Sequence, residues 1–263
     1  DLVRSRGLGD VYKRQVYDFD GLRDAITNAG NTKTTIKIMK SFELKATLTI
    51  SKDQDITITS GANRDEANNK ITPIGEDKIT MPKEDDGVER RQELVKEAEE
   101  AGEKALKDTN LEKNPLPTVD IVIKRAKGFL ETLFKIQEGG TLTLGTDNKD
   151  PLFIDGNITV KTEIEGGSFI DVSGTLVMNG GIIANGNNEK SGSAPIYVHQ
   201  GGKFTMNGGR ITSNKNISKG ISNFNAAGGV YVDEGGEFTL KAGSIDNNHA
   251  PVSYTHPSPR DRT

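Results

Sequence analysis

Residues 201–214 read GGKFTMNGGRITSN, and residues 228–248 read GGVYVDEGGEFTLKAGSIDNN. Both stretches alternate apolar and polar side chains in runs of three or four residues, broken by Gly-Gly or Ala-Gly. A period of two is the mark of a strand with one buried face. It sends Phe204 and Met206 inward in the first stretch and Phe238 and Leu240 inward in the second, with Lys203, Thr205, Glu237 and Thr239 on the other side. The glycine pairs accept positive φ and permit tight corners between such strands.

Working outward, the same layout occurs four times: residues 133–145 (LFKIQEGGTLTLG), 169–181 (FIDVSGTLVMNGG), 196–209 (IYVHQGGKFTMNGG) and 230–243 (VYVDEGGEFTLKAG). Anchored on Gly140, Gly174, Gly202 and Gly236, the steps are 34, 28 and 34 residues. A period of that size indicates a solenoid, propeller or array. Three of the four units run on into a third short strand, at residues 181–184 (GIIA), 210–213 (RITS) and 244–246 (SID). Three strands per unit predict a three-faced coil. Asn-rich stretches follow the third strand at 185–188, 214–216 and 247–248. Asn tolerates left-handed backbone, and on stacked turns it forms side-chain amide ladders, so these residues are read as turn chemistry rather than as ligand contacts.

The pattern resembles the right-handed parallel β-helix of the pectate-lyase-like family. It is more similar still to the GGxFTMxGGxIxxN repeats of large bacterial cell-surface and adhesin-like proteins, carried here by residues 201–214 and 228–248 and covering residues 124–249. The resemblance implies an all-β, right-handed parallel β-helix (solenoid) with an N-terminal capping helix, to which the residues themselves add a charged helical insertion at 81–118. It implies an extracellular, cell-surface location, and since no nucleophile–base–acid set stands in the sequence, a non-enzymatic structural or adhesive segment that contacts glycans or surface proteins is expected. Two rivals remain: a polysaccharide lyase or glycoside hydrolase on the same fold, and a carbohydrate-binding module. Fold alone does not decide among them.

Toward the N-terminus, residues 18–29 (DFDGLRDAITNA) predict a short helix capped by Asp18 or Asp20, with Leu22, Ala25, Ile26 and Ala29 on one apolar face. Placed before the first coil, it is expected to cover the open end of the core. Alternating strands are expected at 35–38, 47–50 and 55–59, and the SKDQD between the last two also suits an antiparallel hairpin, which keeps a sandwich open for this region. Residues 81–118 differ in kind: rich in Glu and Lys, with a thin apolar seam over 88–107, they read as a solvated helical insertion. After them the strand pattern resumes at 119–124 and 129–136. The expected division is therefore 16–80, cap and first coils; 81–118, insertion; and 119–251, repeats.

The ends are unlike the rest. Residues 5–15 (SRGLGDVYKRQ) look like a translated transposon-type sequencing adapter, and residues 252–261 (VSYTHPSPRD) like its reverse complement after a two-base loss. Residues 1–15 and 252–263 are expected to be adapter-derived, with the natural reading frame running on at both sides.

Composition sets bounds on chemistry. Apolar residues make up 33% and aromatics 5%, with 30 glycines, which suits a narrow core better than a wide one. The net charge of −4 speaks against a nucleic-acid partner, and no apolar run is long enough to span a bilayer. With zero Cys there are no disulfides or thiolate metal sites. His199 has no second His or Cys at ligand spacing, so no metal and no cofactor is expected. The Gly-rich stretches lead into strands and match no phosphate-binding loop. Enzymes of the resembled family need clustered carboxylates, or Ca²⁺ with a nearby base. The candidates here are Asp155 and Asp171, sixteen residues apart and so off-register, with Lys203 and Arg210 expected to point outward on a neighbouring coil. An Asp171–Arg210 pair is the only catalytic arrangement they suggest, and a solvated face is the preferred reading. No catalytic residue is assigned, and a monomer is expected.

Overall fold

The structure, a computed structural model, describes residues 12–61, 121–157, 168–188, 194–216 and 227–250. The predicted insertion at 81–118 and the C-terminal adapter-like string lie outside these residues.

The described strands form three parallel sheets that the chain visits in turn. Sheet A runs β1 (Tyr12–Val16), β2 (Thr34–Ile38), β5 (Asp55–Ser60), β8 (Thr141–Leu144), β11 (Thr175–Met178), β15 (Lys203–Met206) and β19 (Glu237–Leu240). Sheet B runs β3 (Phe42–Leu44), β6 (Val122–Arg125), β9 (Phe153–Asp155), β12 (Ile182–Ala184), β16 (Arg210–Thr212) and β20 (Ser244–Asp246). Sheet C runs β4 (Leu48–Ile50), β7 (Phe134–Ile136), β10 (Ile170–Val172), β14 (Ile196–Val198) and β18 (Val230–Val232). A short pair, β13 (Asn187–Asn188) and β17 (Lys215–Asn216), follows sheet B. All pairings are parallel, and only one helix, α1 (Phe19–Thr27), stands among the described residues. This all-β arrangement is consistent with a parallel β-solenoid.

The sequence steps become strand register. Thr141 pairs with Thr175, Thr175 with Lys203 and Lys203 with Glu237, so the residue after each anchoring glycine stacks on its counterpart. Alternation then sends Leu142, Leu176 and Phe204 into one core column and Leu144, Met178 and Met206 into another, all 0–1% exposed. Burying each such side chain stabilises by about 1.5–3 kcal/mol. The column gains because each residue packs on those above and below, as well as across the coil. Sheet B carries a second, smaller apolar group on its outer side, where Phe153, Ile182 and Ala184 are buried with Val122 against them. That is why β12 is buried at every position rather than at alternate ones.

The corner at Gly201-Gly202 shows two different reasons for glycine. Gly201 has φ +77°. A Cβ on Gly202 would stand 2.1 Å from the Val172 carbonyl oxygen of the preceding coil. One position needs left-handed backbone, and the other needs the space.

The turn joining sheet C to sheet A is short in every coil, from residues 51–54 to 233–236. The path from sheet B to sheet C varies instead: residues 45–47, then 126–133, 156–169, 185–195 and 213–229.

At the N-terminal end the predicted helix forms, with Asp18 as its cap accepting from Gly21 N at 2.8 Å. Leu22, Ala25 and Ile26 are buried against the first coil. Gln54 ties the helix down by donating from Nε2 to Ile26 O at 2.8 Å while its Oε1 accepts from Ser51 N. The alternative hairpin at 48–59 does not form: β4 belongs to sheet C and β5 to sheet A, each with parallel partners. The boundary read between residues 15 and 16 falls inside β1, whose Tyr12–Val16 pairs with Thr34–Ile38.

Candidate functional site

Sheet C presents one outward residue per strand in unbroken register: Thr49, Lys135, Asp171, Tyr197 and Tyr231. Each is flanked by inward apolar residues, so the short β-branched-rich strands fix which way the middle side chain faces. The result is a straight ladder that begins polar, passes through an acid and ends in two phenols.

Around Asp171 the ladder thickens. Its Oδ2 accepts from Thr132 Oγ1 at 3.0 Å, and its Oδ1 lies 3.9 Å from His199 Nε2. At that separation the His–Asp contact is an ion pair only when the imidazole carries its proton, and not a hydrogen bond. The imidazole packs on the Tyr197 ring with centroids 4.4 Å apart, and Tyr197 in turn meets Tyr231 at 4.9 Å. Tyr197 is 9% exposed, while the His199 side chain is 40% exposed. With Tyr197 buried between them, the His199 imidazole and the Tyr231 phenol stand with the Asp171 carboxylate on one face, groups suited to hydroxyl-rich ligands: polar edges bind hydroxyls and ring faces cover C–H surfaces.

Arg210 departs from the expected solvated face. It stands on the outer side of β16, as alternation requires, but it is buried and does not face solvent. Its Nε and Nη2 both donate to the Asp246 carboxylate, Nη2 to Oδ1 at 2.7 Å, and Thr212 Oγ1 donates to the same oxygen at 2.6 Å. Burial alone would raise the Asp246 pKa, but hydrogen bonds from Arg210, Thr212 and Ser244, with the Arg210 charge, hold it below the usual carboxylate value. Arg210 lies in sheet B and Asp171 in sheet C, so the suggested catalytic pair does not form. Asp155 ends β9 in sheet B, where its Oδ1 accepts from Asn157 N and Asn185 Nδ2. It is a turn residue with a strand position, and it does not meet Asp171. Lys203 is exposed and pairs with Glu237 at 3.1 Å.

A second buried cation holds the corner before sheet C. Arg125 donates to the carbonyls of Phe129, Glu131 and Ser168 and lies over the Phe129 and Phe169 rings. Burial pulls its pKa down to about 10, against the opposing charge of Glu131. A cleft of about 310 Å³ opens beside α1, lined by Arg23, Thr27, Thr47, Thr49 and Ser51. Among the described residues no group of three or more His, Asp or Glu is placed to hold a metal ion.

Compared with known protein families, curated proteins and solved structures, the chain matches none.

The Tyr197–Tyr231 pair was within reach of the sequence, since IYV and VYV occupy the same place in two aligned repeats, 34 residues apart. The His199–Asp171 approach had no such signal. It depends on neighbouring coils setting residue 171 one rung from residue 197.

Proposed function

We propose that the chain is a non-enzymatic structural and adhesive segment of an extracellular, cell-surface protein of the bacterial adhesin-like type. In this reading it is a right-handed parallel β-helix that serves as a rigid rod, with the outer face of sheet C as its contact surface for glycans. Right-handedness follows the strong preference of parallel strands joined through a crossover. The observation that supports the reading best is the ladder Thr49–Lys135–Asp171–Tyr197–Tyr231, held in register by five core-anchored strands. A linear face of this kind fits an extended sugar chain better than a closed pocket does, because its binding groups repeat at the strand spacing of about 4.8 Å.

The test is a glycan array with the full chain and with Tyr231→Ala, each also incubated with acidic polysaccharides, with and without Ca²⁺. Binding that weakens about tenfold in Tyr231→Ala, about 1.4 kcal/mol, supports the adhesive face. No bound glycan removes that part of the proposal. Release of unsaturated or reducing sugar ends assigns the chain to lyase or hydrolase chemistry instead.

A further inference from the structure

The two ends of the stack are finished differently. At the N-terminal end α1 lies over the first coil and buries Leu22, Ala25 and Ile26. At the other end β18, β19 and β20 are each the last strand of their sheet. The register carries the core columns straight into that end. Ile136, Val172 and Val198 are 0% exposed, yet Val232, next in the column, is 37% exposed. Leu144, Met178 and Met206 are 0–1% exposed, while Leu240 is 51% exposed. Phe238, stacked on Phe204 with centroids 4.8 Å apart, and Ile245 are only partly buried. Natural edge strands are blunted by lysine, proline, a bulge or a covering element, and the inward positions of these three strands carry no Lys or Pro.

We propose that this end is a docking surface for one more parallel coil, supplied by the natural chain continuing past residue 250. That coil carries apolar side chains in register with Val232, Phe238, Leu240 and Ile245. The proposal rests on reading the chain as a stretch of a longer rod. Continuity of register picks the occupant: five successive core rungs already stack in this way, and the surface repeats the top of each. A second copy fits less well. Its N-terminal end is covered by α1, and its C-terminal end, brought round by a two-fold axis, offers strands running the opposite way.

The bridge between Lys215 and His249 sets residue 250 in step with residue 216. Replacing residues 251–263 by a second copy of residues 217–250 therefore adds a coil already in register. Hydrogen exchange of the full chain and of the extended one gives the comparison. The expected result is that amides of β18–β20 slow to the rates of β14–β16, and that Leu240→Lys, tolerated in the full chain, sharply lowers the Tm of the extended one. Unchanged exchange, or an equal effect of Leu240→Lys in both, overturns the proposal. So does a concentration-dependent dimer of the full chain that Leu240→Lys abolishes, since it assigns the surface to a second copy. The intact gene gives a readout that does not depend on the extended protein folding. A further Gly-punctuated coil after residue 250 is expected, and a stop codon or an amphipathic helix there overturns the proposal. None of these outcomes depends on whether sheet C binds glycans.

Discussion

Asn214 donates from Nδ2 to Asn248 Oδ1 at 2.9 Å, joining the same turn in two successive coils. Each amide is also tied to backbone. Asn214 Oδ1 accepts from Gly186 N, Asn214 Nδ2 reaches Ile183 O, and Asn248 Nδ2 donates to Ile211 O. Asn214 is 0% exposed, so no water replaces what it supplies.

Removing that amide leaves buried backbone groups without partners, at about 1–3 kcal/mol each. Asn214→Ala is expected to destabilise by about 2–4 kcal/mol on that basis, read as a lower midpoint in urea unfolding. Asn214→Asp should be worse near neutral pH than at pH 3, because a carboxylate sets acceptor against acceptor at Ile183 O and Asn248 Oδ1. An Asn214→Ala midpoint equal to the parent's would show that the ladder contributes nothing.

Asp246 makes the stack acid-sensitive at its last coil. Its folded pKa is depressed. The stability it confers is therefore present above the unfolded carboxylate value of about 3.9 and is lost as pH falls through the lower folded value. Asp246→Asn is expected to flatten the fall in Tm below about pH 4. The same slope in parent and variant would place the acid sensitivity elsewhere.

Sequence alone made much of the fold legible and the site hardly at all. The four aligned repeats predicted the columns of Leu144, Met178 and Met206, because period-two alternation and glycine anchors are local signals. The strand Phe42–Leu44 was not read, since three residues carry too little pattern. The third strand of the first described repeat, Phe153–Asp155, was hidden because residues 145–152 separate it from its predecessor. Arg210 was read as solvent-facing because alternation tells the side of a sheet but not whether that side is covered. The Asp171–His199–Tyr197 contacts arise only from stacking between coils, which no single repeat encodes.

Gly201 and Gly202 give a paired prediction. Gly201→Ala forces a side chain into left-handed backbone and should cost about 1–2 kcal/mol. Gly202→Ala places a methyl against the Val172 carbonyl and must move backbone, so its loss should be clearly larger. Thermal unfolding of the two variants tests the order, and equal losses would refute the close-approach argument.

At the capped end, Gln54→Ala removes the Ser51 amide's acceptor and one of the donors to the Ile26 carbonyl, which keeps Ala29 N. A loss of about 1–3 kcal/mol is expected, with amides of α1 exchanging faster than those of sheet A. Uniform acceleration across all three sheets would instead mean that α1 and the coils open as one unit.

The uneven corners have a consequence for how such a chain changes over generations. Added length falls between sheet B and sheet C, from residues 45–47 to residues 213–229, and between sheet A and sheet B, where β5 ends at Ser60 and β6 begins at Val122, while the turns from sheet C to sheet A stay short. A mutation that lengthens the chain at either seam leaves every core column in register, whereas one extra residue at Gly201-Gly202 shifts all that follows. The molecule has two margins where novelty is cheap and one where it is forbidden, and a foreign peptide grafted at a permissive margin would be displayed without disturbing the rod.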